Sequence, residues 1–331
     1  MDTTYEMFLL ATEELNFSKA AERAFITQQA FSDHIKRLER RYNVTLFQRK
    51  PKLMLTPEGK VMRRYVLQMR AMETNLINEL SDISQGVRGT IHFGLSATRG
   101  QIIVPGFLPE YQKGCPQTNV QTYFNDTSVL ERRLINKELD IFLGIETKPN
   151  MLFKRTLVCK EPMYLLVPDL FLREKFGKQY DKYVNLFSQG ADLTLLKDIS
   201  FVQSHSRSTT TDYIHQFLTM YHIDLEIPIY ASNFDILIEL CRTGMYATIS
   251  PAFHLIRLLQ PEPADSRLHV FPIKNMDKRL SVEIVEHAAS QPLRYREKFK
   301  ADLHRFLMQK YMYLSTQCKN KFQLIDGVSF K

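Results

Sequence analysis

Six polar side chains lie at positions that place them on one face of a helix near the N-terminus. Apolar residues recur at spacings of four, three and four through Phe31, Ile35, Leu38 and Tyr42, which predicts an amphipathic helix over about 28–42. Thr27 precedes this stretch and can cap it. The opposite face carries Gln28, Gln29, Ser32, Asp33, Lys36 and Arg37. These side-chain types contact base edges and phosphates in a major groove, and the alternative interpretation is helix capping and exposed polarity.

Asp33 admits two interpretations. Its carboxylate could accept a hydrogen bond from a cytosine amino group, or it could pair with Arg37 one helical turn later. We favour the pair with Arg37.

Positive charge is concentrated just after these residues. The chain has a net charge of +8, and residues 36–64 alone hold ten basic and two acidic side chains, also a balance of +8. A compact basic block is the electrostatic pattern of a polyanion-binding protein, although a solvated basic face is the alternative. The side chains that we expect to neutralise phosphates are Lys36, Arg37, Arg49, Lys50 and Lys52.

The elements around this helix predict a winged helix-turn-helix. A helical repeat spans about 4–15, and Ser18 can cap a short helix over Lys19–Ala24, ahead of the helix that Thr27 starts. Residues 43–55 then predict two short strands joined by a basic tip. Thr56-Pro57-Glu58 predicts the start of a 29-residue helix that ends at Gln85. Its single narrow apolar stripe is typical of coiled-coil pairing.

From Thr90 onwards, strand-like and helix-like runs alternate, which is typical of an α/β domain. The helical stretches include Ser128–Lys137 and Ile236–Arg242. The predicted strands are Thr90–Leu95, Val120–Phe124, Ile141–Ile145, Met163–Val167, Ile199–Val202, Ala247–Ile249 and Leu280–Val285.

Several function classes lack their sequence signals. Glycine is scarce, at 12 of 331 residues, and there is no GxGxxG or GxxxxGK[ST] phosphate loop, no GxSxG elbow and no HExxH. The four cysteines form no CxxC, which favours buried thiols over a redox pair. No apolar run of about 18 residues could span a bilayer, and the N-terminus lacks the positive charge of a signal peptide. We therefore expect a soluble, cytoplasmic protein that is not an enzyme and holds no metal or cofactor.

The N-terminal residues resemble those of the LysR-type transcriptional regulators in order and spacing. The matching residues are Phe8, Phe17-Ser18-Lys19-Ala20-Ala21, Thr27-Gln28, Ser32, Ile35, Leu38-Glu39, Leu46-Phe47, Arg49 and Leu55-Thr56-Pro57-Glu58-Gly59. Gln29 departs from the family pattern, in which proline is common, and Asp33 stands where a basic or polar residue is usual. These departures predict an operator that differs somewhat from the commonest family preferences.

The resemblance implies the architecture of the whole chain. A winged helix-turn-helix DNA-binding domain would occupy 1–58, with the helix-turn-helix at about 18–37, and a linker helix that dimerises would occupy 59–88. A two-lobed α/β domain resembling type 2 periplasmic binding proteins would follow over 89–311. Its first lobe would comprise about 90–165 and 270–311, and its second about 166–269, with hinge strands near Tyr164–Pro168 and Leu268–Pro272. A basic tail would occupy 312–331.

The effector site is expected in the cleft between these lobes. The strand Thr90–Leu95 is followed by Ser96, Ala97, Thr98 and Arg99, where hydroxyls and helix N–H groups could hold a carboxylate. For each residue, capping or core packing is the alternative. The family's cleft adds Thr127, Ser128, Gly144, Ile145, Ser204, His205, Ser206, Phe234, Thr248 and Ile249.

The resemblance also implies the partners. These are double-stranded operator DNA, a second copy of the chain within a homodimer and homotetramer, a small-molecule effector of unknown identity, and RNA polymerase. The competing hypotheses are an enzyme on the α/β domain and an exported solute-binding protein, whose signals are missing. Residues 169–198 are longer than the usual connection and could form a lid, an oligomer contact or a surface elaboration.

Overall fold

The computed structural model describes residues 2–48, 52–85, 89–204, 208–231, 233–259 and 267–322. The chain divides into two compact units. The first comprises residues 1–88 with the short segment 135–138, and the second comprises 89–134 and 139–331.

The first unit is a helical domain with a small β-hairpin. Its core packs aromatic rings from separate elements, with the buried Phe8 ring and the partly buried Phe17 ring 5.7 and 5.3 Å from the buried Phe47 ring. Phe47 pairs with Leu55 in the antiparallel hairpin, so the predicted wing is confirmed. The elements are α1 (Thr3–Glu14), α2 (Phe17–Arg23), α3 (Gln28–Tyr42), β1 (Phe47–Gln48), β2 (Met54–Leu55) and α4 (Pro57–Gln85).

Side-chain caps fix where two helices of this domain, α2 and α3, begin. Thr27 caps α3 as predicted, because its side chain accepts a hydrogen bond from the Ala30 N–H. The expected cap of α2 was wrong. Asn16, rather than Ser18, caps that helix, since its extended backbone lets one side-chain oxygen accept from the Ser18 and Lys19 N–H groups. The helix therefore begins at Phe17 and ends at Arg23, one residue before the predicted end.

The long helix α4 has the predicted 29 residues. Thr56 starts it by accepting a hydrogen bond from the Gly59 N–H at 2.9 Å. Gly59 packs so closely that a Cβ atom there would lie 2.2 Å from the Leu46 carbonyl oxygen. Beyond this first turn, a set of large apolar side chains is exposed on the helix: Val61, Tyr65, Met69, Met72, Leu76 and Ile77.

The second unit contains the predicted α/β architecture. The strands and helices of its larger half are β3 (Gly89–Leu95), α5 (Ala97–Gly114), β4 (Thr118–Phe124), α6 (Thr127–Ile135), β5 (Ile141–Ile145), β6 (Phe153–Glu161), β12 (Leu280–His287) and α11 (Arg294–Phe322). The sheet of this half has the order β4-β3-β5-β12-β6, in which β3 runs parallel to β4 and β5, while β12 runs antiparallel to β5 and β6.

The other half lies between β6 and β12 in the chain. Its elements are β7 (Met163–Pro168), α7 (Asp169–Phe176), α8 (Tyr180–Ser188), β8 (Val202–Ser204), α9 (Thr209–Met220), β9 (Ile229–Ala231), α10 (Phe234–Arg242), β10 (Thr248–Pro251), a 3-10 segment (Ala252–Leu259) and β11 (Leu268–Pro272). An antiparallel sheet β10-β7-β11 contains both predicted hinge strands, and β8 pairs with β9 in parallel. The strand predicted at Ile199–Val202 begins later, at Val202, and β6 and β9 were not predicted.

Two segments to which the sequence assigned no role, 169–198 and the stretch after Tyr311, contain helices. Residues 169–198 form α7, α8 and two short 3-10 turns, and the Phe187 ring of α8 packs 5.6 Å from Phe271 of β11. The boundary that we expected after Tyr311 falls inside α11, which continues to Phe322. Leu314 and Cys318 beyond that boundary are buried, so this part of the expected tail belongs to the packed domain.

Candidate functional site

The outer face of α3 is the first candidate site. Thr27, Gln28 and Gln29 at the start of the helix are all exposed, and Ser32 one turn later is half-buried. Phe31, Ile35 and Leu38 on the opposite face are buried. Packing of these three residues fixes the helix and leaves the polar side chains facing solvent, so the face is free for a partner. Lys36 and Arg37 continue it and are also exposed.

The ion pair on this face differs from the one that we favoured. Asp33 approaches Lys36, with 3.6 Å between the carboxylate oxygen and Nζ, rather than Arg37. Asp33 and Lys36 are one turn apart at i,i+3, and both side chains are about half exposed. Such a pair contributes little to stability, so both side chains remain available to a ligand. Lys52 beside the hairpin is exposed as well, whereas Arg49 and Lys50 lie outside the described residues.

The second candidate site lies where two helices begin in the second unit. Ser96 precedes α5, and its side chain does not cap the helix. Asn233 caps α10 by accepting from the Asp235 N–H. Thr98 connects the two helix starts, because its hydroxyl donates to Asn233 Oδ1 at 3.1 Å. The positive ends of two helix dipoles therefore meet at this position, which favours an anionic or oxygen-rich group.

Three of the other predicted cleft residues engage in local hydrogen bonds. Thr127 Oγ1 accepts from the Ile145 N–H at 3.2 Å, which places the start of α6 beside the end of β5. The Thr248 hydroxyl donates to the Val202 carbonyl at 2.8 Å and joins β10 to β8. Ala97 and Ser128 are exposed, whereas Gly144, Ser204, Phe234 and Ile249 are buried. His205 and Ser206 lie outside the described residues.

Arg99 makes its contacts inside the protein. Its guanidinium is 2% exposed and donates to a carboxylate oxygen of Glu161 and to the Tyr311 hydroxyl, the latter at 2.6 Å. The other Glu161 oxygen accepts from the Phe253 N–H at 3.2 Å. Burial alone would lower the pKa of Arg99, but the charge of Glu161 and the contact with Tyr311 outweigh it and raise that pKa. The arginine therefore stays charged and joins α5, β6, α11 and the 3-10 segment.

Three polar residues of this region were missed from the sequence. Asn233 could have been predicted from the sequence, since asparagine before an apolar helical run indicates an N-cap. No sequence pattern predicts the position of His254. It is buried under the Phe234 ring, 4.9 Å away, and burial followed by the charges of Arg99 and Arg257 lowers its pKa well below the ordinary value. Gln203 is also buried, and its side-chain amide has no hydrogen-bond partner among the described residues.

All four cysteines are buried and free. Burial raises the pKa of the Cys318 thiol to about 12 and also raises those of Cys159 and Cys241, so these three thiols are protonated and unreactive at neutral pH. Within the described part of the chain, no group of three or more metal-binding side chains converges. Among the helices of the same residues, none combines the length and the hydropathy that a membrane-spanning segment needs.

Comparison with known protein families finds a match for each of the two parts of the chain. Residues 3–60 match the model of the bacterial regulatory helix-turn-helix protein, lysR family. Residues 84–305 match the LysR substrate binding domain, which covers more than half of the chain. The chain belongs to the LysR family. It is thus a transcriptional regulator with a helix-turn-helix domain and a LysR substrate binding domain, as the sequence resemblance predicted.

Individual regulators are also similar to this chain, three of the four that follow over about nine-tenths of its length. A probable RuBisCO transcriptional regulator of Phaeodactylum tricornutum is 24% identical over 305 residues, which cover 89% of this chain and 92% of that protein. CysL of Bacillus subtilis is 32% identical over 137 residues, 41% of this chain and 46% of its own. Full-length OxyR of Pseudomonas aeruginosa shares the fold with a TM-score of 0.65 at 19% identity, over 92% of this chain and 97% of that one. CbnR, a LysR family regulator, has a TM-score of 0.62 at 15% identity and covers 92% and 98% of the two chains.

Proposed function

We propose that the outer face of α3 reads operator DNA in a major groove. The observation that carries this proposal is the division of α3 into a buried apolar face and an exposed polar face that begins at its capped N-terminus. The first residues of a recognition helix contact base edges. The residues that we assign to base reading are Thr27, Gln28, Gln29, Ser32 and Asp33.

Basic side chains around this face would hold the phosphate backbone. We assign this role to Lys36 and Arg37 on α3, Lys52 beside the hairpin, and Arg49 and Lys50, which are outside the described residues. Each phosphate that a cation neutralises makes the slope of log affinity against log salt concentration steeper by about 0.9. In support of this assignment, CbnR has been solved in complex with its target DNA, and the fold is similar at a TM-score of 0.60 and 15% identity over 93% of this chain and 99% of that one.

We propose that two copies pair through α4 and that dimers associate into a tetramer. The exposed apolar side chains on α4 support pairing, because a long helix with one apolar stripe is unstable alone. Pairing would set two recognition helices at a fixed spacing, which an operator with interrupted dyad symmetry would match. RNA polymerase is the further partner that a regulator of this type would contact. Since its target is operator DNA, we place the protein in the cytoplasm.

The proposed domains follow the same division of roles. DNA binding is assigned to 1–58, dimerisation to 59–88 and effector binding to the α/β domain from 89. We extend that domain past 311 to the end of α11. A regulatory rather than enzymatic role is proposed for the whole chain.

We propose that the effector binds where α5 and α10 begin. The uncapped start of α5 at Ser96, Ala97 and Thr98, together with Phe234, supports an effector that presents an oxygen-rich or anionic group to helix N–H donors. Arg99 would position α5 through Glu161 rather than contact the effector. The remaining assigned contacts are Thr127, Ser128, Gly144, Ile145, Ser204, His205, Ser206, Thr248 and Ile249.

Selection of genomic fragments by the purified full-length protein at about 150 mM salt tests DNA recognition. We expect one or a few intergenic sites with dyad symmetry. Lys36→Ala should weaken binding, whereas Lys113→Ala, which removes another exposed positive charge, on α5, should not. Retention of only non-specific, steeply salt-dependent binding by the wild-type protein would contradict effector-independent operator recognition.

Calorimetric titration with a panel of small carboxylates and neutral polyols tests the effector site. The panel should include substrates and products of the enzymes that are encoded beside the selected operator. Thr98→Val should weaken a detected ligand at least tenfold, whereas Thr74→Val, on α4, should leave its affinity unchanged. Equal affinity for the wild-type protein and Thr98→Val would place the ligand elsewhere.

A further inference from the structure

Phe25 has a conformation and an exposure that the folded chain does not explain. It lies in the turn between α2 and α3, with a backbone φ of +55° and a side chain that is 96% exposed. Backbone hydrogen bonds hold the turn, since the Phe25 N–H donates to the Glu22 carbonyl at 3.0 Å and the Ile26 N–H donates to the Ala21 carbonyl at 3.1 Å. The aromatic ring is therefore not needed to form the turn.

The phenylalanine is unfavourable at this position for two reasons. A positive φ is strained for a bulky residue and suits glycine or asparagine. A ring that is almost fully exposed gains nothing from burial and leaves apolar surface in water. A strained residue whose ring is almost fully exposed indicates a role toward a partner.

The position of the ring identifies that partner. Phe25 stands two residues before Thr27, the cap of α3, and next to the end of the helix at which Gln28 and Gln29 are exposed. This inference rests on the proposed function, in which that end of α3 enters a major groove. The apolar feature of the groove is the C5-methyl group of thymine, which phenylalanine side chains contact.

We propose that Phe25 packs its ring against a thymine methyl group in each operator half-site and so sets part of the sequence preference. The turn would place this apolar contact beside the hydrogen-bonding contacts of Gln28 and Gln29. Operator recognition would then combine hydrogen bonds from α3 to base edges with an apolar contact from the preceding turn to a thymine methyl group.

Leu15 offers a matched control. It also has a left-handed backbone, with φ of +46°, and an exposed apolar side chain, but it lies at the other end of α2. Phe25→Asn and Leu15→Asn therefore relieve the same kind of strain, and each replaces an exposed apolar side chain, which is 96% exposed at Phe25 and 46% exposed at Leu15. Only the first changes the turn before α3.

Selection from a library of randomised duplexes by the wild-type protein and both variants tests the proposal. The wild-type protein and Leu15→Asn should enrich thymine at one position of each half-site, and Phe25→Asn should lose that preference. Replacing this thymine by uracil, which lacks the methyl group, should weaken wild-type binding about fivefold. The same replacement should not affect Phe25→Asn, whose thermal midpoint should equal or exceed that of the wild-type protein.

Three results would overturn the inference. An unchanged thymine preference in Phe25→Asn would show that the ring contacts no base. Weaker binding by Phe25→Asn with full sensitivity to uracil would place the ring against the sugar–phosphate backbone or another protein. A lower thermal midpoint would show that the ring packs within the chain. If the wild-type protein enriches no sequence at all, the proposed DNA recognition fails first, and this outcome is distinct from the other three.

Discussion

Neutralising Glu161 should destabilise the second unit strongly, because it leaves the buried guanidinium of Arg99 without a counter-charge. The two side chains are 3% and 0% exposed. Breaking a buried pair by removing one partner costs about 3–5 kcal/mol. Glu161→Gln keeps the shape of the side chain and some hydrogen bonding, so we expect about 3 kcal/mol.

Differential scanning calorimetry of the full-length protein measures this effect. For a unit of about 240 residues, a loss of about 3 kcal/mol should lower its midpoint by about 6–12 °C. Glu239→Gln is the matched control. It breaks a pair with Arg242 at 2.7 Å in which the glutamate side chain is 64% exposed, and surface pairs of this kind contribute at most about 1 kcal/mol.

A double variant separates the cost of an unpaired charge from the value of the pair. Arg99→Met with Glu161→Leu removes both charges and fills similar volume, so it should recover much of the stability that Glu161→Gln loses. A midpoint of Glu161→Gln within about 2 °C of Glu239→Gln would refute the reasoning. It would mean that water or another group solvates Arg99 in the folded protein.

Three further predictions concern the other parts of the chain. Gly59→Ala should lower the stability of the first unit by about 1–3 kcal/mol in urea denaturation, because the new Cβ would lie 2.2 Å from the Leu46 carbonyl oxygen. Lys36→Ala should reduce the slope of log affinity against log salt by about 0.9 in fluorescence anisotropy with operator DNA, and an unchanged slope would remove Lys36 from the phosphate contacts. His254 should make stability pH-dependent: its pKa is lowered in the folded protein, so the unfolded chain takes up a proton first as pH falls below about 6.5. The free energy of unfolding, measured by urea denaturation, should therefore fall between pH 7 and pH 5. For His254→Gln it should fall less over the same range.

The helical part of the structure follows closely from the sequence because its signals are local. The cap at Thr27, the apolar spacing in α3 and the Thr56-Pro57 start of α4 depend on residues a few positions apart, and each is confirmed. The prediction that Ser18 caps α2 was wrong because two nearby residues offer the same local signal. Asn16 and Ser18 are both good capping residues, and only the extended backbone at Asn16 decides between them.

The environment of Arg99 could not be predicted in this way. Its partners Glu161 and Tyr311 lie 62 and 212 positions away in the chain, and no local pattern links residues at such separations. An arginine beside the hydroxyl side chains of Ser96 and Thr98 looks like a ligand-binding group when only its neighbours in sequence are considered. Tertiary packing buries it instead.

The same packing explains why α11 continues past Tyr311. Apolar residues recur at spacings of three and four from Phe299 through Leu307 to Cys318, and all are buried, so one stripe is covered along the helix. The LysR substrate binding match ends at residue 305, yet Tyr311 beyond it donates to Glu161, the partner of Arg99. The part of α11 beyond residue 305 therefore completes the contacts that hold α5. Because α5 also supplies the helix start at which we place the effector, a change in those contacts would alter the effector site without touching the ligand.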